Sequence, residues 1–430
     1  MSSTLATLGA APHRVLFFPG AAQLVLVLAY WSAVLLEDMG MAPALADTDL
    51  PTLAAHGWLM VYGTFPFFIF GFLFTAVPNW LERPPLERRD YLPIAITMAL
   101  GALLFYPGLH STALAAGAVG LHLLGWAAAL RVLWRLLNAT RRLAPHQTIE
   151  TPPSPGPMRV IQAVPAPATD RRHARVAFLA CTLGAVGEAS FLYWLLTDAP
   201  LAWQLAESLG VWGFLAPIFL AVCHRMIPWF TSRVVRDYAM YRPTVALWLM
   251  LAACVAHAAL ETADLRTWLW LTDGVLAGLT EWLALRWYDR GIHRVRLLAM
   301  LHYGFPWVVL ACTLHAIDSL GLLMGAQWDL GRAPLHALGI GFFASMLLAM
   351  ATRVSLGHSG RKLEADGLSW TAFWLLQATA LARLLPDLFS ALDRPTWIIL
   401  SAAGWLAAFV PWVLRYGPFY WRARVDGKTG

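Results

Sequence analysis

Apolar runs of about twenty residues recur from one end of this 430-residue chain to the other, each long enough to cross roughly 30 Å of hydrocarbon as a helix rising ~1.5 Å per residue. That recurrence restricts the fold more than any motif does. Inside a bilayer every backbone N–H and C=O must find its partner within the chain, which leaves only helices and closed barrels. A barrel would read as ~10-residue stretches of alternating polarity, whereas these runs are apolar all round and rich in Leu, Ala and Trp. Composition agrees: 59% of residues are hydrophobic and only 13% charged, as expected where lipid is the solvent.

The runs predict twelve spans, at about 15–36, 51–80, 91–108, 111–137, 174–197, 202–231, 243–260, 266–288, 297–323, 333–357, 368–390 and 395–416. Alternate loops then sort by charge. Arg83, Arg88, Arg89, Arg135, Arg172, Arg233, Arg236, Arg290, Arg294, Arg361 and Lys362 fall on one side, and Glu37, Asp38, Asp47, Asp198, Glu261 and Asp264 on the other. Basic loops stay cytoplasmic, so both termini are expected inside. The net charge of +6 is on this reading a topology signal. The arginines flank spans, where they meet anionic membrane lipid, and do not build the basic face that nucleic acid requires.

One membrane domain, 1–430, is expected, with spans 1–4 at 15–137 and spans 5–12 at 174–416. Between them a Pro-rich cytoplasmic linker at 138–172 carries TPPSPGP and VPAPATD, which hold neither helix nor sheet. No signal-peptide cleavage pattern follows the first apolar run. Cys181, Cys223, Cys254 and Cys312 all fall inside spans and never as CxxC or CxxCH, which argues against disulfides, zinc knuckles and covalently attached haem. Trp31, Trp80, Trp229, Trp328 and Trp412 fall near span ends, where an aromatic belt lies. Spans 2, 6 and 10 are long and end in related ways: TAVPNW at 75–80, HRMIPWFT at 224–231 and TRVSLGHSGR at 352–361. That spacing fits three four-helix units around a shared centre. The haem-copper oxidases are also built of twelve helices in three arcs, an analogy of fold alone.

Ionisable groups at membrane depth are costly and usually face a bundle's interior, so each is a candidate for function. With both termini inside, His56 and His336 fall about a turn within the outer ends of spans 2 and 10, and His257 and His315 in the outer halves of spans 7 and 9. His224, His302 and His358 fall at the inner ends of spans 6, 9 and 10, with His122 near the middle of span 4. His336 and His358 are about 33 Å apart along an unbroken helix, so no single site pools all the histidines. The matched depth of His56 and His336 suits the two axial ligands of one porphyrin, with Gly63 and Gly339 leaving room for a flat macrocycle. Helix-to-helix hydrogen bonds with glycines for close packing would give the same pattern. His224, His302 and His358 suit a trigonal copper site, or are three separate histidines at headgroup level. Arg225 and Arg353 point to that same end, toward a propionate, phosphate, carboxylate or lipid headgroup. Glu188 in span 5 and Glu281 in span 8 fall near mid-membrane, with Asp273 also at depth. They are relay groups for protons reaching a buried redox centre, or partners of an arginine.

Several stretches together resemble the NnrS family: His56-Gly-Trp-Leu-Met60 with Gly63, GFLFTAVPNW at 71–80, RMIPWFT at 225–231, LHYG at 301–304, LHALGIG at 335–341 and TRVSLGHSGR at 352–361. They run in family order over nearly the whole chain. The resemblance implies a twelve-span protein of the bacterial cytoplasmic membrane, associated with haem b and copper and tied to the response to nitric oxide and other nitrogen oxides. It sets the first His of the family's WHAHEM pattern on His56, but the second falls on Trp58 and the Glu on Leu59. His224, where relatives carry Gly in GGRxIP, stands as a replacement ligand. His302, His336, Arg353, His358 and Gly360 match directly.

The expectation is an all-α haem-containing bundle that handles nitric oxide at a buried metal centre. It would either reduce nitric oxide with electrons from an unidentified donor, in the manner of a nitric oxide reductase, or remove metal-nitrosyl damage. Two other readings stay open: a transporter of a metal or small anion, and a redox sensor or assembly factor without turnover.

Overall fold

Every apolar run becomes a helix, and this computed structural model, which describes residues 4–43, 47–139 and 171–427, contains no strand among those residues. Residues 140–170 of the expected linker lie outside them. Span 1 is Pro12–Asp38, span 3 Arg88–Gly108, span 4 Thr112–Asn138 and span 5 Arg172–Thr197. Span 7 is Thr244–Thr262, span 8 Leu269–Trp287, span 11 Gly367–Leu388 and span 12 Arg394–Trp421. Helix starts carry the expected caps: Ser111, Asp366 and Asp393 accept from the backbone N–H groups of Leu114, Ser369 and Thr396. Among the described residues, ten helices are long and apolar enough to cross a membrane. Spans 8 and 11 are less apolar because Asp273, Glu281 and Arg286 interrupt one, and Gln377, Arg383 and Asp387 the other.

The remaining four spans are interrupted. Span 2 runs Thr52–Val61 and resumes at Phe65–Trp80. Pro66 has no N–H to donate and its ring would strike the carbonyl of Tyr62, while Thr64 Oγ1 donates to the Leu59 carbonyl at 2.8 Å. Span 9 breaks ahead of Pro306, between Arg296–Gly304 and Pro306–Leu323. Span 6 widens into a π-helical turn at Leu209–Leu215, ahead of Pro217, between Pro200–Ser208 and Ala216–Val234. Span 10 does the same at Ala337–Ala344, between Ala333–His336 and Ser345–His358. The interruptions of spans 2 and 6 are tied together, because Tyr62 Oη donates to the Ala206 carbonyl at 2.6 Å. Glycine is required beside it: a Cβ on Gly187 or Gly210 would collide with that oxygen.

Spans 2, 6 and 10 form the centre. In each, 72% of the apolar stretch is buried inside the bundle, against 33–61% for the other seven of the ten. Neighbour relations recur three times: spans 1, 5 and 9 pack on spans 2, 6 and 10, as do spans 4, 8 and 12. Spans 3 and 4, 7 and 8, and 11 and 12 pair, and the seams 4/5, 8/9 and 12/1 join one unit to the next. These are the three four-helix units that the spacing of related endings predicts. At their centre lies an apolar cavity of about 60 Å³, lined by Phe68, Ile218, Phe219, Met346 and Leu347 among others.

Candidate functional site

Three clusters of buried polar groups lie near the interruptions of the central spans. In the first, His56 stacks on Trp31 of span 1, ring centroids 4.4 Å apart and planes 27° apart. His56 Nδ1 is buried with no hydrogen-bond partner. His336, at the last position before the π turn of span 10, donates from Nδ1 to the Arg332 carbonyl at 2.9 Å, which makes Nε2 the acceptor nitrogen of the neutral ring. His56, His336 and Arg383 of span 11 lie close enough to interact electrostatically. Arg383 is itself held by Asp387 at 2.8 Å, and Asp387 also receives Arg394 at 2.9 Å.

In the second cluster, His257 Nδ1 of span 7 contacts Asp273 Oδ1 of span 8 at 2.8 Å, both side chains fully buried. Trp212, carried by the π turn of span 6, stacks on His257 with centroids 3.7 Å apart, and His315 of span 9 stands edge-on to His257 at 5.5 Å. In the third, His122 Nδ1 of span 4 meets Glu188 Oε1 of span 5 at 2.7 Å, again with no exposure of either side chain. Trp58 and Phe67 of span 2 face the His122 ring edge-on at 5.5 and 6.0 Å. Trp58 thus sets its ring beside this pair, close enough to Glu188 to interact with the carboxylate.

The inner histidines do not converge. His224 contacts His173 Nε2 at 3.2 Å and the Pro243 carbonyl at 3.1 Å. His302 Nε2 contacts Thr231 Oγ1 at 2.9 Å, and His358 lies against His13 of span 1, ring centroids 4.3 Å apart. Each therefore faces a different neighbour, and His224, His302 and His358 share no coordination point. Equal depth on spans 6, 9 and 10 did not mean equal azimuth around the central axis. Among the described residues, the one group of three His, Cys, Asp or Glu side chains whose ligand atoms come together is His257, Asp273 and His315.

Other expected residues are redistributed as well. Arg353 lies over the Phe230 ring at 3.8 Å, at the far end of span 10 from His336 by about 25 Å of helix, so it does not belong to a site with His56. Gly63 sits in the break of span 2, where a Cβ would press on the Leu59 carbonyl and the Trp58 ring; it permits the break and opens no space for a macrocycle. Gly339 has open space beside it. Glu188 is paired with a histidine, not an arginine, and Glu281 is exposed on the outside of the bundle, so the two form no relay. Trp31 and Trp412 face inward, Trp412 donating to Thr352 Oγ1 at 2.8 Å.

Sequence reasoning missed His13 and His173 as partners of other histidines, and it missed the convergence on Asp273. One signal for the latter was present: Cys254-Val-Ala-His257 and Cys312-Thr-Leu-His315 repeat the same spacing on two spans. A family model described as NnrS protein matches residues 7–424. A comparison with curated proteins finds no match.

Proposed function

The chain belongs to the NnrS family of membrane proteins of the nitric oxide response, and from that premise we propose that it binds haem b between spans 2 and 10 and handles nitric oxide there. The observation that carries this reading is the pairing of His56 and His336 from the first and third units, one with an orphaned buried Nδ1 and the other with Nδ1 tied to a carbonyl. A histidine that ligates iron commonly donates its second ring N–H to such a carbonyl. The open space at Gly339 lies three residues beyond His336. These residues fit an imidazole-ligated haem: Trp31 holds the His56 ring flat, Arg332 fixes the tautomer of His336, and Arg383 supplies a cation next to both. When bound, haem held by His56 and His336 would supply a one-electron centre that takes nitric oxide as a ligand. Glu188 and His122 hold a proton between them at a buried, water-poor position, which suits delivery toward a reduced centre. Electrons come from a separate donor.

The test is an optical spectrum of the purified protein before and after dithionite and then nitric oxide. The reading expects a Soret band that shifts at each addition. A colourless preparation would sink it and favour the transporter alternative.

A further inference from the structure

The second cluster is built like a ligand sphere. His257, Asp273 and His315 come from spans 7, 8 and 9, three successive helices, and one ligand atom from each lies within 4.8 Å of the others. His257 and Asp273 are entirely buried. Each member also ends in an unpartnered buried atom: His257 Nε2, Asp273 Oδ2 and His315 Nε2. A buried polar atom without a partner costs about 1–3 kcal/mol, so a buried cluster in which every member keeps one is incomplete as it stands. Trp212 clamps the His257 ring from one side, and it is held there by the π turn at Leu209–Leu215, a distortion that often accompanies a functional site.

We propose that His257, Asp273 and His315 bind one divalent first-row transition ion, at a site separate from the proposed haem. The donor set selects the class. Two imidazoles and one carboxylate suit ferrous iron and zinc, and the thiols of Cys254 and Cys312, three residues before each histidine, are not among the converging atoms, so nothing soft is offered to copper(I). With ligand bonds of about 2 Å, the 2.8 Å separation of His257 Nδ1 and Asp273 Oδ1 subtends roughly 90° at a shared ion. That is the angle between adjacent ligands in a facial arrangement of three protein groups, which leaves positions open for a small ligand. Binding through Nδ1 removes the proton from between His257 and Asp273, and the neutral imidazole then carries its N–H on Nε2. The site does not depend on the haem reading, because none of its residues lies on span 1, 2, 10 or 11.

The experiment uses the full chain, purified through a tag free of histidine and stripped with EDTA, and titrates it with cobalt(II), read by its d–d absorption. The expected result is one equivalent bound by the wild-type protein, with affinity lowered at least tenfold in Asp273→Asn and in His315→Gln. The Soret band of either variant stays as in the wild type, which separates this site from the haem. Absence of a d–d band in the wild type overturns the proposal whether or not the variants fold, as do variants that bind cobalt(II) like the wild type. A rise in the wild-type melting temperature with cobalt(II) is required as well, and an unchanged one contradicts the site.

Discussion

At the scale of the residue, the pairing of His122 with Glu188 shows how context assigns a role that depth alone did not. Both are recognisable as ionisable groups within apolar runs, and Glu188 as a relay group or the partner of an arginine, but spans 4 and 5 are joined through the 140–170 segment and no spacing rule links residues 122 and 188. Their contact at 2.7 Å lies inside a fully buried seam. Truncating one leaves the other stranded. Glu188→Ala is expected to destabilise the protein by about 3 kcal/mol, measured by thermal unfolding in detergent, whereas replacing both residues with apolar ones of similar volume recovers most of the loss. A double variant as unstable as the single one would show that the pair is not what holds this seam. Glu281 illustrates the opposite case: its position along span 8 said mid-membrane, but its azimuth turns it outward.

At the scale of the element, helices were legible and their interruptions were not. Twenty apolar residues specify a helix by length and solvent alone, so each of the twelve runs is helical, ten of them among the described residues long and apolar enough to cross a membrane. The breaks depend on single residues acting through geometry: Pro66 and Pro306 remove an N–H, and the π turns of spans 6 and 10 place Trp212 and follow His336. Composition averages over such details. The junction of spans 2 and 6 gives a test at this scale. Tyr62→Phe removes the donor to the Ala206 carbonyl and should lower stability by about 1 kcal/mol. Gly210→Ala, which drives a Cβ into Tyr62, should destabilise further, while Gly274→Ala, with open space beside it, should be silent. Melting temperatures of the three variants check this order; equal effects of the two glycine variants would contradict it.

At the scale of the whole molecule, the repeat organises what the chain does. Three units bring spans 2, 6 and 10 together, and histidine lies beside tryptophan at two of these central spans: His56 with Trp31 and His122 with Trp58 at span 2, and His257 with Trp212 at span 6. The faint likeness of three span endings was the sequence trace of this arrangement. What it could not convey was which histidines meet, since rotation about the axis is invisible to a reading of depth: His56 and His336 lie near one another, whereas His224, His302 and His358 each face a different neighbour. Topology is tested by a reporter fused at residues 150–165, where the arginine asymmetry predicts cytoplasmic activity and strong periplasmic activity would reverse every depth assigned above. A haem between His56 and His336 would clasp the first unit to the third, so the decisive measurement is haem content and the dithionite-reduced spectrum of purified His56→Ala and His336→Ala. The account predicts that each variant loses the haem or shifts its spectrum; full haem content with an unchanged reduced spectrum in both would contradict it.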